Sequence, residues 1–232
     1  MKKILFILFV FISISCSFAQ QVSCEKFPIN FCVPLNVVYE KEPKGYPSQN
    51  IKAKLEEIKY LDYYSEPFEF IEKGNEVIIN KIKNTWYKIK TNDLENPNTT
   101  AWFLSSDIGF LKENPIKNIS EYSGYYKNDP RYVCSYYYFI KVNTSDSSII
   151  VTDFCATKNE KGNLIDEYEK FVDPLEQKKL LNPQINGCVL TSQDSIPIKA
   201  WFVFAKSETN KKIVKGLLVC NQDGYLTFYR KD

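Results

Sequence analysis

The chain has 232 residues, carries 30 Lys and Arg against 28 Asp and Glu, and contains no histidine. The missing imidazole excludes Ser-His-Asp and Cys-His nucleophilic catalysis within this chain, and histidine-based zinc hydrolysis with them. A formal net charge of +2, with basic clusters that are only pairs such as Lys178-Lys179 and Lys211-Lys212, gives no electrostatic footprint for nucleic acid.

The N-terminus reads as a secretory signal. Lys2 and Lys3 precede an apolar run from Ile4 to Ile12, and Ser17-Phe18-Ala19 places small residues before Gln20. Cleavage after Ala19 is expected, giving an exported protein, periplasmic or extracellular. The run is shorter than the span of about 20 residues that a membrane helix needs, so no transmembrane segment is expected after cleavage. Lipid anchoring at Cys16 is the alternative, although Ser13-Ile14-Ser15 lacks the leucine usual before a lipidated cysteine. Loss of residues 1–19 removes two lysines and no acid, leaving 28 basic and 28 acidic side chains.

Six cysteines then remain: Cys24, Cys32, Cys134, Cys155, Cys188 and Cys220. An even number in an exported chain makes all six disulfide candidates. Cys24 and Cys32 are the expected local pair, with Pro28 turning the chain between them, and the other four are expected to pair within the C-terminal half. No CxxC spacing occurs, so neither a metal site nor a cofactor is expected.

After an N-terminal segment, 20–32, strand-like motifs follow in series. They are Leu35-Asn36-Val37-Val38, Glu72-Lys73-Gly74-Asn75-Glu76-Val77-Ile78-Ile79, Trp86-Tyr87-Lys88-Ile89-Lys90 and Ala101-Trp102-Phe103-Leu104-Ser105-Ser106. Between the first two, Ile51, Leu55, Ile58 and Leu61 recur at helical spacing behind Ser48 as an N-cap, which predicts a helix. Over residues 33–112 these motifs together resemble a bacterial Src homology 3 domain, with Val38 where that family has arginine and Ala101 where it has glycine. The resemblance implies a small β-barrel, here with a helical insert, that binds peptidoglycan or an envelope protein without catalysis. It also implies a ligand groove lined by Tyr39, Trp86, Tyr87 and Trp102.

Residues 113–118 have the composition of a linker, and 119–232 read as a second, antiparallel β domain, a barrel or sandwich with one short helix. Its strands are expected at 134–143, 148–155, 198–206, 212–220 and 225–229, all rich in β-branched and aromatic residues. Trp201, Val203 and Ala205 would share one face, with Phe202, Phe204 and Lys206 on the other. Asp173, Pro174 and Glu176 start the expected helix and Asn182-Pro183 ends it. No GxSxG, P-loop or GxGxxG motif is present. The acidic residues Glu56, Glu57, Asp153, Asp166, Glu167 and Glu169 read as surface charge rather than a glycosidase pair. The expected function is therefore non-enzymatic binding in the bacterial cell envelope. The alternative is a secreted protein–protein interaction factor or inhibitor acting through the aromatic C-terminal domain.

Overall fold

A computed structural model describes residues 25–35, 44–54, 59–60, 67–90, 100–115, 118–127, 134–143, 148–157, 178–179, 183–193, 199–220, 224 and 226–231. The expected β-rich character holds among them. Among the described residues one 3-10 turn, Ile119–Tyr122, interrupts the strands, and no helix is long and apolar enough to cross a membrane.

The first half contributes β1 (Phe31–Pro34), β2 (Lys44–Gly45), β3 (Lys59–Tyr60), β4 (Phe68–Ile79), β5 (Ile82–Lys90), β6 (Thr100–Leu104) and β7 (Ile108–Glu113). The β4–β5 hairpin closes through Asn80 and Lys81 at φ of 51° and 65°, with Ile79 opposite Ile82. A two-residue loop with both φ positive matches the twist of its strands, and asparagine tolerates that conformation. Two register shifts, between Phe70 and Glu72 and between Lys73 and Glu76, let the longer β4 bend around β5.

The second half contributes β8 (Gly124–Lys127), β9 (Cys134–Asn143), β10 (Ser148–Thr157), β11 (Lys178–Lys179), β12 (Gln184–Asn186), β13 (Val189–Thr191), β14 (Lys199–Lys206), β15 (Ile213–Cys220) and β16 (Leu226–Lys231). The five runs expected as strands correspond to β9, β10, β14, β15 and β16.

The expected helices differ from what the described residues form. Ile51 and Lys52 lie in a turn, whose side-chain acceptor is Asn50 Oδ1, bonded by Lys52 N at 2.9 Å, rather than Ser48. Ile51 is exposed, and Lys59 and Tyr60 pair as a strand with Gly45 and Lys44. Leu55, Ile58 and Leu61 lie outside the described residues. In the second half Lys178 and Lys179, expected inside the short helix, pair with Asp153 and Thr152 on β10. An open strand edge offers unsatisfied N–H and C=O groups, and pairing with it outweighs weak helical propensity. Residues 173–177 lie outside the described residues.

Among the described residues fourteen strands form one antiparallel sheet in the order β11-β10-β9-β8-β16-β15-β14-β7-β1-β4-β5-β6, with β12 and β13 joined to it through β14. Among the described residues no ladder joins the two ends of this path, so barrel closure is not seen. Strand β7 connects the expected halves: it pairs with β1 on one side and with β14 on the other, from Phe110 opposite Lys206 to Glu113 opposite Val203. Glu113, the first residue of the expected linker, ends β7, and the next residue, Asn114, donates its N–H to Phe202 O at 2.8 Å.

Alternation along these strands divides the core. Val33, Leu35 and Leu111 pack with Trp201, Val203, Ala205, Leu218 and Phe228, so this cluster draws on both halves. On the opposite face of β14 and β15, Phe202, Leu217 and Val219 pack with Tyr122, Tyr126 and Tyr229. A third cluster, including Phe68, Ile89, Phe103 and Ile108, fills the first half. The turn after β14 adds a polar clasp. Ser207 Oγ donates to Ser105 O at 2.8 Å, Asn210 Nδ2 donates to Ser106 O at 3.0 Å, and Thr209 Oγ1 meets Ser105 Oγ. Ser105 and Ser207 are buried, so leaving these groups unpaired would cost their desolvation.

The join is tight at Gly109. A β-carbon there would lie 2.7 Å from Leu35 Cδ2 and 2.9 Å from the backbone N of Lys206. Gly109→Ala is therefore expected to destabilise the chain by about 1–3 kcal/mol in urea denaturation, the usual cost of overpacking. An unchanged midpoint would show that the strands have room to part.

Candidate functional site

The register of β5 and β6 sets which aromatic residues meet. Lys88 lies opposite Trp102 and Trp86 opposite Leu104, so these four share one face of the sheet. Tyr87, Ile89, Ala101 and Phe103 point the other way, into the first-half core. Of the four residues expected to line a groove, Trp86 and Trp102 therefore share a face, Tyr87 lies behind it, and Tyr39 is outside the described residues.

Exposure separates them further. Trp86 is 2% exposed, and the Tyr46 ring meets it edge-on at 5.2 Å. Tyr87 is 3% exposed and packs T-shaped against Phe70 at 5.7 Å and Phe110 at 5.1 Å. Both are core residues. Trp102 alone of the three is half-buried.

Trp102 is held by its backbone and framed by polar groups. It exchanges two hydrogen bonds of 2.9 Å with Tyr46 across an isolated bridge. Lys88 Nζ lies 5.9 Å from the indole centroid and 3.9 Å from a Glu72 carboxylate oxygen. Next to the ring is Gly74, where a β-carbon would come 2.5 Å from the indole and 2.7 Å from Gln49. Gln49 Oε1 accepts from Asn75 N at 2.7 Å, which fixes the amide beside the ring. A supported indole face bordered by an ammonium, a carboxylate and an amide suits a sugar ring or a peptide backbone. Gly74, Lys88 and Trp102 all lie in motifs read from sequence. Tyr46 and Gln49 did not stand out there, because a long-range bridge and a β-bulge bring them in.

Titrating groups beneath this face are perturbed by burial. Asp107 is held above the usual carboxylate range by desolvation, partly offset by the Ser106 hydroxyl that donates to it at 3.2 Å. Tyr46 is raised by burial first and by the Asp107 charge second. Burial likewise pushes the Tyr87 phenol up, reinforced by Glu208, the acceptor of its hydroxyl.

Cys32 and Cys188 are free thiols, so the expected Cys24–Cys32 bridge does not form. Extended β1 turns Cys32 into the core, where its Sγ donates to Phe68 O at 3.6 Å and burial raises its pKa. Cys188 donates to Glu113 Oε1 at 3.3 Å and is pushed up to about 11 by burial, then by Glu113. Of the acidic residues considered for catalysis, Asp153 lies in β10, and Glu56, Glu57, Asp166, Glu167 and Glu169 are outside the described residues.

No family model, curated protein or solved structure matches the chain. The fold itself defines a mainly antiparallel β protein.

Asp107 also yields a pH test. Its folded pKa lies above its unfolded value, so the folded state binds the proton more tightly and stability falls as pH rises through that interval. Asp107→Asn is expected to raise the melting temperature at neutral pH and to have little effect below about pH 3, where the aspartate is protonated in both states. Equal effects at both pH values would remove the carboxylate from this account.

Proposed function

We propose that the chain is an exported, non-enzymatic binding protein of the bacterial cell envelope. Its first half would be a module of bacterial Src-homology-3 type for peptidoglycan or an envelope protein. The signal-like N-terminus and the motif series over 33–112 support this reading. The observation that carries it is Trp102, half-buried on a sheet face between Lys88 and the Gly74–Gln49 pair, while Trp86 and Tyr87 are sealed in the core. The ligand surface is accordingly Trp102, Lys88, Glu72 and Gln49, a revision of the expected groove. Export would also oxidise cysteines, and with Cys32 and Cys188 free the disulfide candidates become Cys24, Cys134, Cys155 and Cys220.

A second reading, a secreted protein-interaction factor, draws on exposed Ile71, Ile78 and Ile82 along the β4–β5 hairpin, since protein partners cover such apolar surface.

The test is retention of the full mature chain on purified peptidoglycan sacculi, beside Trp102→Ala and Lys88→Glu variants whose folding is checked by circular dichroism. Retention of the wild type that Trp102→Ala abolishes and Lys88→Glu weakens is expected. If the wild type washes through, the wall-ligand reading fails and protein partners become the target.

A further inference from the structure

In the part of the sheet built by the second half, away from Trp102 on β6, a cavity of about 230 Å³ opens between Asn114, Glu121 and strands β8, β14, β15 and β16. Its walls combine two buried rings, Tyr126 and Phe202, with the polar side chains of Asn114, Glu121, Lys215 and Lys231. Tyr126 donates its hydroxyl to Tyr122 O at 2.8 Å, which fixes its ring in the wall.

Lys231 is set in place before any ligand arrives. Its ammonium donates to Glu121 O at 2.7 Å and lies 5.8 Å from the Tyr126 ring centroid. Its stem crosses Gly124, where a β-carbon would lie 3.1 Å from Lys231 Cε and where φ is +147°. Only glycine takes that conformation readily, so the backbone leaves a slot for the side chain. Lys215 reaches the same cavity from the neighbouring strand β15. Among the described residues, neither ammonium has a carboxylate within ion-pair distance. Burial first, and then the Lys215 charge, lower the Lys231 pKa, with Glu121 opposing them. Two cations converging on a half-enclosed space repel each other until an anion enters between them.

We propose that this cavity is a binding site for a small organic carboxylate, whose charged end lies between Lys215 and Lys231 and whose apolar body packs on Tyr126 and Phe202. The volume falls below the roughly 300–1,000 Å³ of drug-sized sites, so the ligand is of amino-acid rather than oligomer size. Glu121 at the same cavity opposes polyanions. A nucleic acid or a multiply phosphorylated ligand is therefore disfavoured, whereas a single carboxylate is not. The site is separate from the Trp102 face, and the two stand or fall independently.

The experiment is a nuclear magnetic resonance titration of the full mature chain with benzoate and hexanoate. Benzamide, hexanamide and inorganic phosphate run in parallel, and Lys231→Gln, Lys215→Gln and Lys231→Arg are compared with the wild type. Saturable shifts at β8 and β16 amides with the carboxylates but not the amides are expected. Each Lys→Gln change is expected to weaken binding roughly tenfold, the effect of losing one charge-assisted hydrogen bond, and Lys231→Arg to retain most of it. Equal binding of the neutral amides, phosphate binding without carboxylate binding, or no saturation below about 10 mM would each overturn the assignment. Trp102→Ala is expected to leave these shifts unchanged.

Discussion

The pairing of β7 with both β1 and β14 is the constraint on which the rest of the structure depends. A β-strand left with a free edge exposes a row of unsatisfied backbone groups. Here β7 has neither edge free, because the first half covers one and the second half covers the other. The side chains follow the backbone: Leu111 from β7 and Val33 from β1 enter the same cluster as Trp201 and Phe228. Cutting the chain at the expected linker would divide that cluster and strip β14 of a partner. The segment 25–30 adds to the join, since Phe27 meets Trp201 edge-on at 6.0 Å and Lys199 Nζ donates to Glu25 O at 2.6 Å.

This arrangement explains where function can reside. Burial on both faces takes Trp86 and Tyr87 out of contact with solvent, and the Tyr87 hydroxyl is already committed to Glu208 in the turn after β14. Their role is to stiffen β5, which in turn presents Lys88 and, through its ladder with β6, Trp102. A rigid strand pair carrying one half-exposed indole holds its binding surface without paying much entropy on association. The cavity beside Lys231 obeys the same logic, with an ammonium positioned by a carbonyl and a ring rather than left to flex in water.

Much of the strand content was legible from local pattern. Alternation between Trp201 and Lys206 reported correctly that Trp201, Val203 and Ala205 share a face, because period-two burial is a local property. What escaped was non-local. The apolar spacing of Ile51 and its successors reads as helical, but the pairing of Lys59 and Tyr60 depends on Lys44 and Gly45. That Tyr87 belongs to the core, and not to the surface of Trp102, follows from simple alternation with Trp86, but a motif that names both residues conceals it. Cys32 looked like half of a local disulfide because sequence distance was short, yet an extended strand turns its thiol inward to Phe68. Lys215 and Lys231 lie in different strands whose pairing is set by the β15–β16 register, so nothing local marks them as neighbours.

The most direct test of the shared β7 join is equilibrium urea unfolding of the oxidised mature chain, followed together by tryptophan emission and far-ultraviolet circular dichroism. The wild type and Trp201→Phe would be compared. In the variant, the remaining indoles, Trp86 and Trp102, report the first half alone, while circular dichroism reports strands throughout. One cooperative unit predicts a single transition in each protein, with coincident midpoints for the two probes. Two separated transitions, with the emission change complete while much of the dichroism signal persists or the reverse, would contradict it and make the halves independent.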